Sequence, residues 1–501
     1  MYRAISNVAL SLCVALSVVA FSTQQVFAQG ASVNPNTPKA NADRDKNGFV
    51  HVDGVPRLII GLYELPKDDA RLEEIVANGF NLVRVPQETE ALDRVHRLGL
   101  RAWICLGDAI QVNGGDAEAA RRLAGVIDKF KGHPALLVWE LPDEAMWNIW
   151  WGKNAWVSGG QQRELRKQIE TVRANTPEAT VTKWNSLLAQ ADDYDDRGLW
   201  KQAEDIYSTL WAELKVNNPY PAWKMSQCPA ESAALIEATA RGCDLVRQLD
   251  PAHPLWQNHA PRNSTRSLLK YNEEVDAAGC DIYPAPPNYA VGHSDLRDTL
   301  LTSVGAYTDR MANAAPAKSV WMVLQGFGWR DLSEGPKNDA DPAKGRRPHF
   351  AETRFMAYDA IVHGANAILY WGTAYIDDGC PLWHDVLKVA KELRALEPAI
   401  VGDRPAAGPS SRADETFGSV DDEGPRLMLR KAGDDWVLIA VNEYGQGISF
   451  SVSDLPKEIE GKTLYRLYSK ETQLVRGGSF HDGIRHLGVH IYATSRRFEV
   501  K

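Results

Sequence analysis

The chain has 501 residues, 56 Lys and Arg against 65 Asp and Glu, a net charge of -9 and no long basic run. That length suits one large domain plus a smaller one, and the charge argues against a nucleic-acid partner. The apolar and charged fractions, 44% and 24%, are those of an ordinary globular protein.

The N-terminus reads as an export signal. Arg3 supplies positive charge, Val8 to Phe21 is the apolar region, and Val26-Phe27-Ala28 offers small residues for cleavage. The apolar stretch is short for a membrane span. Cys13 lies inside it, away from any lipid-attachment position. The expectation is residues 1–28 as signal peptide and an exported mature chain, periplasmic or secreted, with no membrane anchor left after cleavage. Residues 29–47, rich in Asn, Pro, Ala, Asp and Lys, read as a flexible lead-in.

Gly48 to Pro56 reads as a small hairpin, and from Arg57 strand and helix patterns alternate. Strands are predicted over Arg57–Glu64, Phe80–Val85, Leu100–Leu106, Ala135–Trp139, His253–His259, Ala278–Tyr283, Ser319–Gln325 and Ala365–Trp371. Helices are predicted over Asp68–Asn78, Glu88–Leu98, Ala117–Phe130, Ser232–Leu249, Leu296–Ala314, Phe350–His363 and Leu382–Leu396. Eight βα units with short connections predict an α/β fold, a (β/α)8 TIM barrel over about residues 48–402. One insertion, about 147–231, breaks the rhythm after the fourth strand. It carries helical patterns at Gly160–Arg173, about Thr182–Ala191 and Leu199–Val216, with Trp147, Trp150, Trp151 and Trp156 crowded into a loop at its start. It would form a lid or cleft wall, or pack its apolar stripes on the barrel side.

Asp403 to Arg412 reads as a linker. Beyond it, Pro425–Arg430, Asp435–Asn442, Gly447–Val452, Thr463–Leu467 and His490–Ala493 read as short strands between polar turns. They predict a C-terminal antiparallel β-sandwich at 413–501. Cys105, Cys228, Cys243, Cys280 and Cys380 are an odd number without metal spacing, read mainly as buried thiols with a disulfide pairing left open.

Ligands of open α/β sheets and barrels bind at the carboxyl ends of the strands. Just past the fourth strand stands Trp139-Glu140-Leu141-Pro142-Asp143-Glu144-Ala145. Asp143 and Glu144 could simply start a helix, where acids suit the dipole. The segment also resembles the fourth strand of clan A glycoside hydrolases, W-x-x-x-N-E-P. The resemblance implies Glu144 as general acid/base, with Asp143 in the place of the Asn that binds the sugar 2-hydroxyl and Ala145 in the place of Pro. It further implies substrate-binding roles for Arg84, His259, Asp281, Tyr283 and Trp371, all at strand ends. Taken singly, each has an ordinary structural role, as a salt bridge or a core side chain.

Gln325 occupies the position where retaining members of that clan carry their nucleophilic Glu. An amide forms no glycosyl ester and is no base near neutral pH. Three readings stand together. Glu144 could work as acid with another carboxylate as base, from Asp281, Glu64, Asp377 or Asp378. Gln325 could orient a substrate group in a substrate-assisted reaction. Or the protein could be a non-catalytic carbohydrate-binding barrel. Arg346-Arg347-Pro348-His349, with Glu352 and Arg354, either reaches the cleft or caps the seventh helix. No HExxH, CxxC, phosphate-cradling Gly motif or G-x-S-x-G elbow occurs, so no metal or cofactor is expected. The expected partner is a carbohydrate substrate.

Overall fold

The computed structural model describes residues 45–260, 262–287, 300–332, 345–414 and 422–500. The positions expected to form a signal peptide and most of the expected lead-in lie outside them, as does the start of the helix expected from Leu296. Among the described residues no helix is long and apolar enough to cross a membrane.

Eight strands close a parallel barrel: β1 (Ile59–Leu62), β2 (Leu82–Val85), β3 (Arg101–Cys105), β4 (Leu136–Glu140), β5 (Leu255–His259), β6 (Ala277–Ile282), β7 (Ser319–Gln325) and β8 (Ala367–Trp371). They neighbour one another in chain order, and β8 pairs β1 to close the ring. Each carries a run of apolar residues because each is covered on both faces. Side chains alternate, so every second residue points into the barrel. Ile59, Leu82, Trp103, Val138, Trp256, Ala277, Trp321, Val323, Ala367 and Leu369 share that interior core. Where Trp321 enters from β7, its backbone crowds β6. A Cβ on Gly279 would stand 1.5 Å from the Trp321 carbonyl oxygen, so only glycine fits there.

The helices are α1 (Asp69–Ala77), α2 (Thr89–Arg97), α3 (Ala117–Phe130), α4 (Ala145–Ala155), α5 (Gln162–Val172), α6 (Glu178–Asp196), α7 (Trp200–Leu214), α8 (Cys228–Leu249), α9 (Thr265–Asn272), α10 (Ser303–Ala314), α11 (Phe350–Val362) and α12 (Pro381–Ile400). Asp68 and Asp116 start α1 and α3 by accepting backbone N–H groups of the first turn. Two helices depart from the expectations above. Trp147, Trp150 and Trp151 lie within α4, not in a loop, because its apolar residues run all round the helix and leave no period to read. Helix α9 follows β5 unannounced, since only Leu268, Tyr271 and Asn272 of its eight residues are buried.

Residues 148–232 form one compact unit, and 41–147 with 233–501 form another. The first has its own core, in which Leu165, Ile169, Trp184, Leu188, Tyr207, Leu210 and Trp211 interlock. The second holds the barrel and two antiparallel sheets. One sheet contains β9 (Ser410–Ala413), β12 (Ile448–Ser453) and β15 (Phe480–Ile484). The other contains β10 (Arg426–Ala432), β11 (Asp435–Val441), β13 (Thr463–Arg466), β14 (Thr472–Leu474) and β16 (Val489–Ala493). Leu429, Trp436 and Leu438 of the second sheet meet Phe450, Val452, Phe480 and Ile484 of the first in one core, as in a β-sandwich. Strand β9 takes up the end of the stretch expected to be linker, and β14 and β15 were not foreseen. All five cysteines of the described residues are unpaired thiols.

Candidate active site

The inward phase of the strands brings Tyr63, Arg84, Cys105, Glu140, Asn258, Asp281, Tyr283, Gln325 and Trp371 to the carboxyl-end rim of the barrel, the end where TIM-barrel enzymes keep their chemistry.

Glu140 ends β4 and is fully buried. Arg84 Nε lies 2.9 Å from its Oε2, and the guanidinium sits 5.6 Å from the ring centre of Tyr63. Burial pushes the Glu140 carboxyl up to about 7, with Arg84 opposing and the charge of Asp143 adding to it. Arg84 therefore joins the rim as the counter-ion of Glu140, a partner absent from the sequence expectation. Trp139, one position earlier, points the other way: its indole donates to Asp250 Oδ2 at 2.8 Å, and it is a core residue.

Past the strand, Asp143 Oδ1 accepts from Asn258 Nδ2 at 2.8 Å. Burial raises its pKa against that hydrogen bond and Arg84. Glu144 adopts φ +49°, the left-handed region that non-glycine residues seldom occupy, and its N–H donates to the Asn258 carbonyl at 3.1 Å. Its carboxyl hydrogen-bonds that of Asp281 on β6. The protein packed around Asp281, then the negative charges of Glu144 and Asp143, hold the Asp281 carboxyl well above the usual range. Two carboxyls in contact cannot both ionise freely, so the pair keeps one proton between them.

Opposite stands an aromatic wall. Tyr283 and Trp371 stack with ring centres 5.4 Å apart and planes 23° apart, and Phe327 meets both edge-on. Trp329 and Tyr375 extend it. Trp371 is half-buried and Tyr375 exposed.

Two residues behave otherwise than expected. His259 is one position out of the inward phase. It faces α9, where Nε2 meets Asn272 Oδ1 at 2.8 Å and the ring packs edge-on against Tyr271. Burial pulls its pKa down to about 4 despite Asn272, so it is a neutral core histidine. Its neighbour Asn258 is the inward residue, and strand alternation was the signal that could have found it. Gln325 does reach the rim, paired in register with Trp371, but is fully buried. Its Nε2 donates to the carbonyls of Ala285 (2.8 Å) and Phe327 (2.9 Å), and its Oε1 accepts from Ala285 N–H (2.9 Å). Both amide donors are engaged with backbone.

The other carboxylates considered as bases have separate duties. Glu64 accepts from Gly372 N–H and Thr373 Oγ1, at 2.5 and 2.9 Å, bracing the loop after β8. Asp378 pairs with Arg71, and Asp377 is exposed. Arg346 holds Glu352 through two 2.7 Å hydrogen bonds, and Glu352 accepts from His349 N–H in a capping box on α11. Arg347 forms a buried bidentate pair with Asp331, at 2.9 and 3.0 Å. Of the four base candidates, Asp281 alone is brought to Glu144.

No family model and no curated protein matches the sequence. Solved structures of glycoside hydrolases do resemble it. A GH42 beta-galactosidase from G. stearothermophilus is 10% identical over 90% of this chain and 99% of that one, with a TM-score of 0.49. A glycoside hydrolase family 5 protein from Bacteroides vulgatus is 14% identical over 90% and 92%, at 0.48. The beta-galactosidase from the psychrophilic Marinomonas ef1 is 15% identical, and the match covers 68% of this chain and 60% of that one, at 0.39.

Proposed function

We propose that this chain is a glycoside hydrolase cleaving a glycosidic bond in a polysaccharide or oligosaccharide, with Glu144 as general acid. The observation that carries the reading is the Glu144–Asp281 pair, a proton-holding carboxyl dyad on a barrel rim. Protonating a glycosidic oxygen needs a carboxyl that keeps its proton near the working pH. The pair meets that condition, because burial and the neighbouring charges hold the Asp281 carboxyl up and its hydrogen bond to Glu144 lets the proton pass between the two. Asp143, oriented by Asn258, offers an acceptor for a sugar hydroxyl. The Tyr283–Trp371 wall offers the apolar surface on which a pyranose face stacks.

Retaining pairs stand about 5 Å apart and inverting pairs roughly 6.5 to 9.5 Å. Carboxyls in hydrogen-bond contact are closer than either, so an entering glycoside must part Glu144 from Asp281. Once parted, Glu144 delivers the proton to the leaving group, and Asp281 is the carboxylate left to act on the anomeric carbon or on water. NMR of the first anomer released distinguishes the two courses.

A panel of oligosaccharides assayed with wild type, Glu144→Gln and Asp281→Asn tests the proposal. Glu144→Gln lowers turnover by about 10² to 10⁴ with binding retained. Asp281→Asn removes the like charge, so the alkaline fall of kcat/KM moves to lower pH. Turnover unchanged by Glu144→Gln overturns the assignment.

A second reading, a carbohydrate-binding barrel without catalysis, is favoured by one observation: the amide of Gln325 is locked to backbone where a nucleophile would stand. Glycan binding without cleavage across the panel selects it. We infer also that the protein is exported, on the strength of Val8 to Phe21 and Val26-Phe27-Ala28. N-terminal sequencing of the exported form should begin at Gln29.

A further inference from the structure

Away from the rim, three carboxyl groups converge on His363. This residue caps the C-terminus of α11 and precedes β8, so it stands at the end of the barrel opposite Glu144. Its ring is 5% exposed. From α10, Asp309 Oδ2 lies 3.0 Å from Nδ1. From the loop after β11, Glu443 Oε1 lies 3.1 Å from Nε2. From one turn earlier on α11, Asp359 Oδ1 lies 3.9 Å from the same Nε2. The Asp359 carboxyl is fully buried. Its Oδ2 accepts from Gly305 N–H at 2.7 Å, but Oδ1 has no hydrogen-bond partner among the described residues. A buried carboxyl oxygen aimed at an imidazole and left unpartnered is costly unless a proton or a cation shares the space.

We propose that Asp359 Oδ1, His363 Nε2 and Glu443 Oε1 bind one divalent ion of the zinc class, joining α11 of the barrel to the loop after β11 of the sandwich. The three donor atoms lie within 4.8 Å of one another. Ligands at about 2.0–2.2 Å from a tetrahedral ion stand about 3.4 Å apart. The observed 3.1 and 3.9 Å from Nε2 bracket that edge. An imidazole nitrogen with two carboxylates favours a first-row transition ion over calcium or magnesium, which take oxygen alone. Two carboxylates neutralise its charge, and water completes the shell. Asp309 holds the other ring nitrogen, the carboxylate–histidine–metal arrangement that fixes the ligating tautomer. Arg426, 3.7 Å from Asp309, balances that third carboxylate. On binding, the Nε2 proton leaves to solvent together with the proton that burial holds on Asp359, and the Nδ1 proton stays on the ring, donated to Asp309. Without an ion, burial lowers the His363 pKa, but Asp309 and Glu443 outweigh it and raise it to about 9.

The test uses the full chain, stripped with EDTA and titrated with zinc chloride. Calorimetry and metal analysis should give one ion per chain. The thermal midpoint should rise by about 3 °C or more at saturating zinc. The zinc K-edge spectrum should show one imidazole and oxygen ligands without sulfur. Glu443 is a partly exposed loop residue, so Glu443→Gln keeps the fold, and it should weaken binding at least about tenfold. His384→Ala, at an exposed histidine, should change nothing. Absence of stoichiometric binding by wild type, sulfur in the shell, or affinity untouched by Glu443→Gln each overturns the proposal, and His363 is then an imidazolium held by its acids.

Discussion

Glu144 holds a backbone conformation that a residue with a Cβ adopts at a cost of about 1–2 kcal/mol. Strain of that kind persists where the surroundings over-determine it, here through the Asn258 carbonyl. Glu144→Gly should therefore raise stability by up to about 1 kcal/mol in urea unfolding while abolishing any hydrolysis. A variant less stable than wild type would show that the side chain contributes more than the backbone strain removes. Gln325 makes the complementary case. A carboxylate there would face the carbonyl oxygens of Ala285 and Phe327, both of which now accept from an amide. Gln325→Glu should destabilise by about 1–3 kcal/mol. The new acid would have its folded pKa raised, so the loss should be small below its unfolded value and grow as pH rises past it. Unfolding at pH 4 and pH 8 measures this. Faster hydrolysis in that variant, with stability intact, would contradict the structural role.

At the scale of elements, the ends of β2 and β4 are tied by a buried ion pair. Removing one partner of such a pair costs about 3–5 kcal/mol, because the other charge is left buried. Arg84→Gln, which leaves the Glu140 carboxyl buried without its counter-ion, should approach that range; Glu140→Gln should cost less, because burial already outweighs Arg84 in setting that carboxyl, and the double variant should be less destabilised than the sum of the singles. The sign of its pH dependence follows from the raised folded pKa. Glu140 titrates at 4.5 in its unperturbed state and at about 7 in the fold, so its contribution is present below 4.5 and is lost as pH rises through 7. Stability against pH between those values should flatten in Glu140→Gln.

Strand order and the Glu144 neighbourhood were legible because parallel barrel strands are apolar runs with fixed spacing. Phase was legible too, and ignoring it misassigned His259 in place of Asn258. The Arg84–Glu140 pair and the bracing of the Ala285 loop by Gln325 were not legible. They depend on which strand ends become neighbours when the ring closes, and no local pattern encodes that. Helix α4 was hidden by its lack of a polar face, and α9 by its short buried stripe. Gly279 looked like any glycine until Trp321 was seen against it; Gly279→Ala should destabilise by about 1–3 kcal/mol as β6 and β7 are forced apart.

Over the whole molecule, the barrel and sandwich belong to one compact unit, and Arg354 shows how they are joined. From α11 it pairs with Glu392 of α12 at 2.6 Å, donates to the Val489 carbonyl of β16 at 3.0 Å, and lies over Tyr358. Arg354→Ala should cost about 2–4 kcal/mol and admit protease between the barrel and the C-terminal strands before the barrel itself unfolds. The thiols supply a different kind of information. Cys228 is buried in the core of the helical unit, while Cys243 and Cys280 are buried in the unit that contains the barrel, and burial raises the pKa of all three. None reacts as a thiolate until its surroundings open. Mass-resolved alkylation across a denaturant series thus carries two independent clocks in an unmodified chain. One rate for all three sites means the two units open as a single cooperative body; an earlier Cys228 means the helical unit melts alone and leaves the barrel standing.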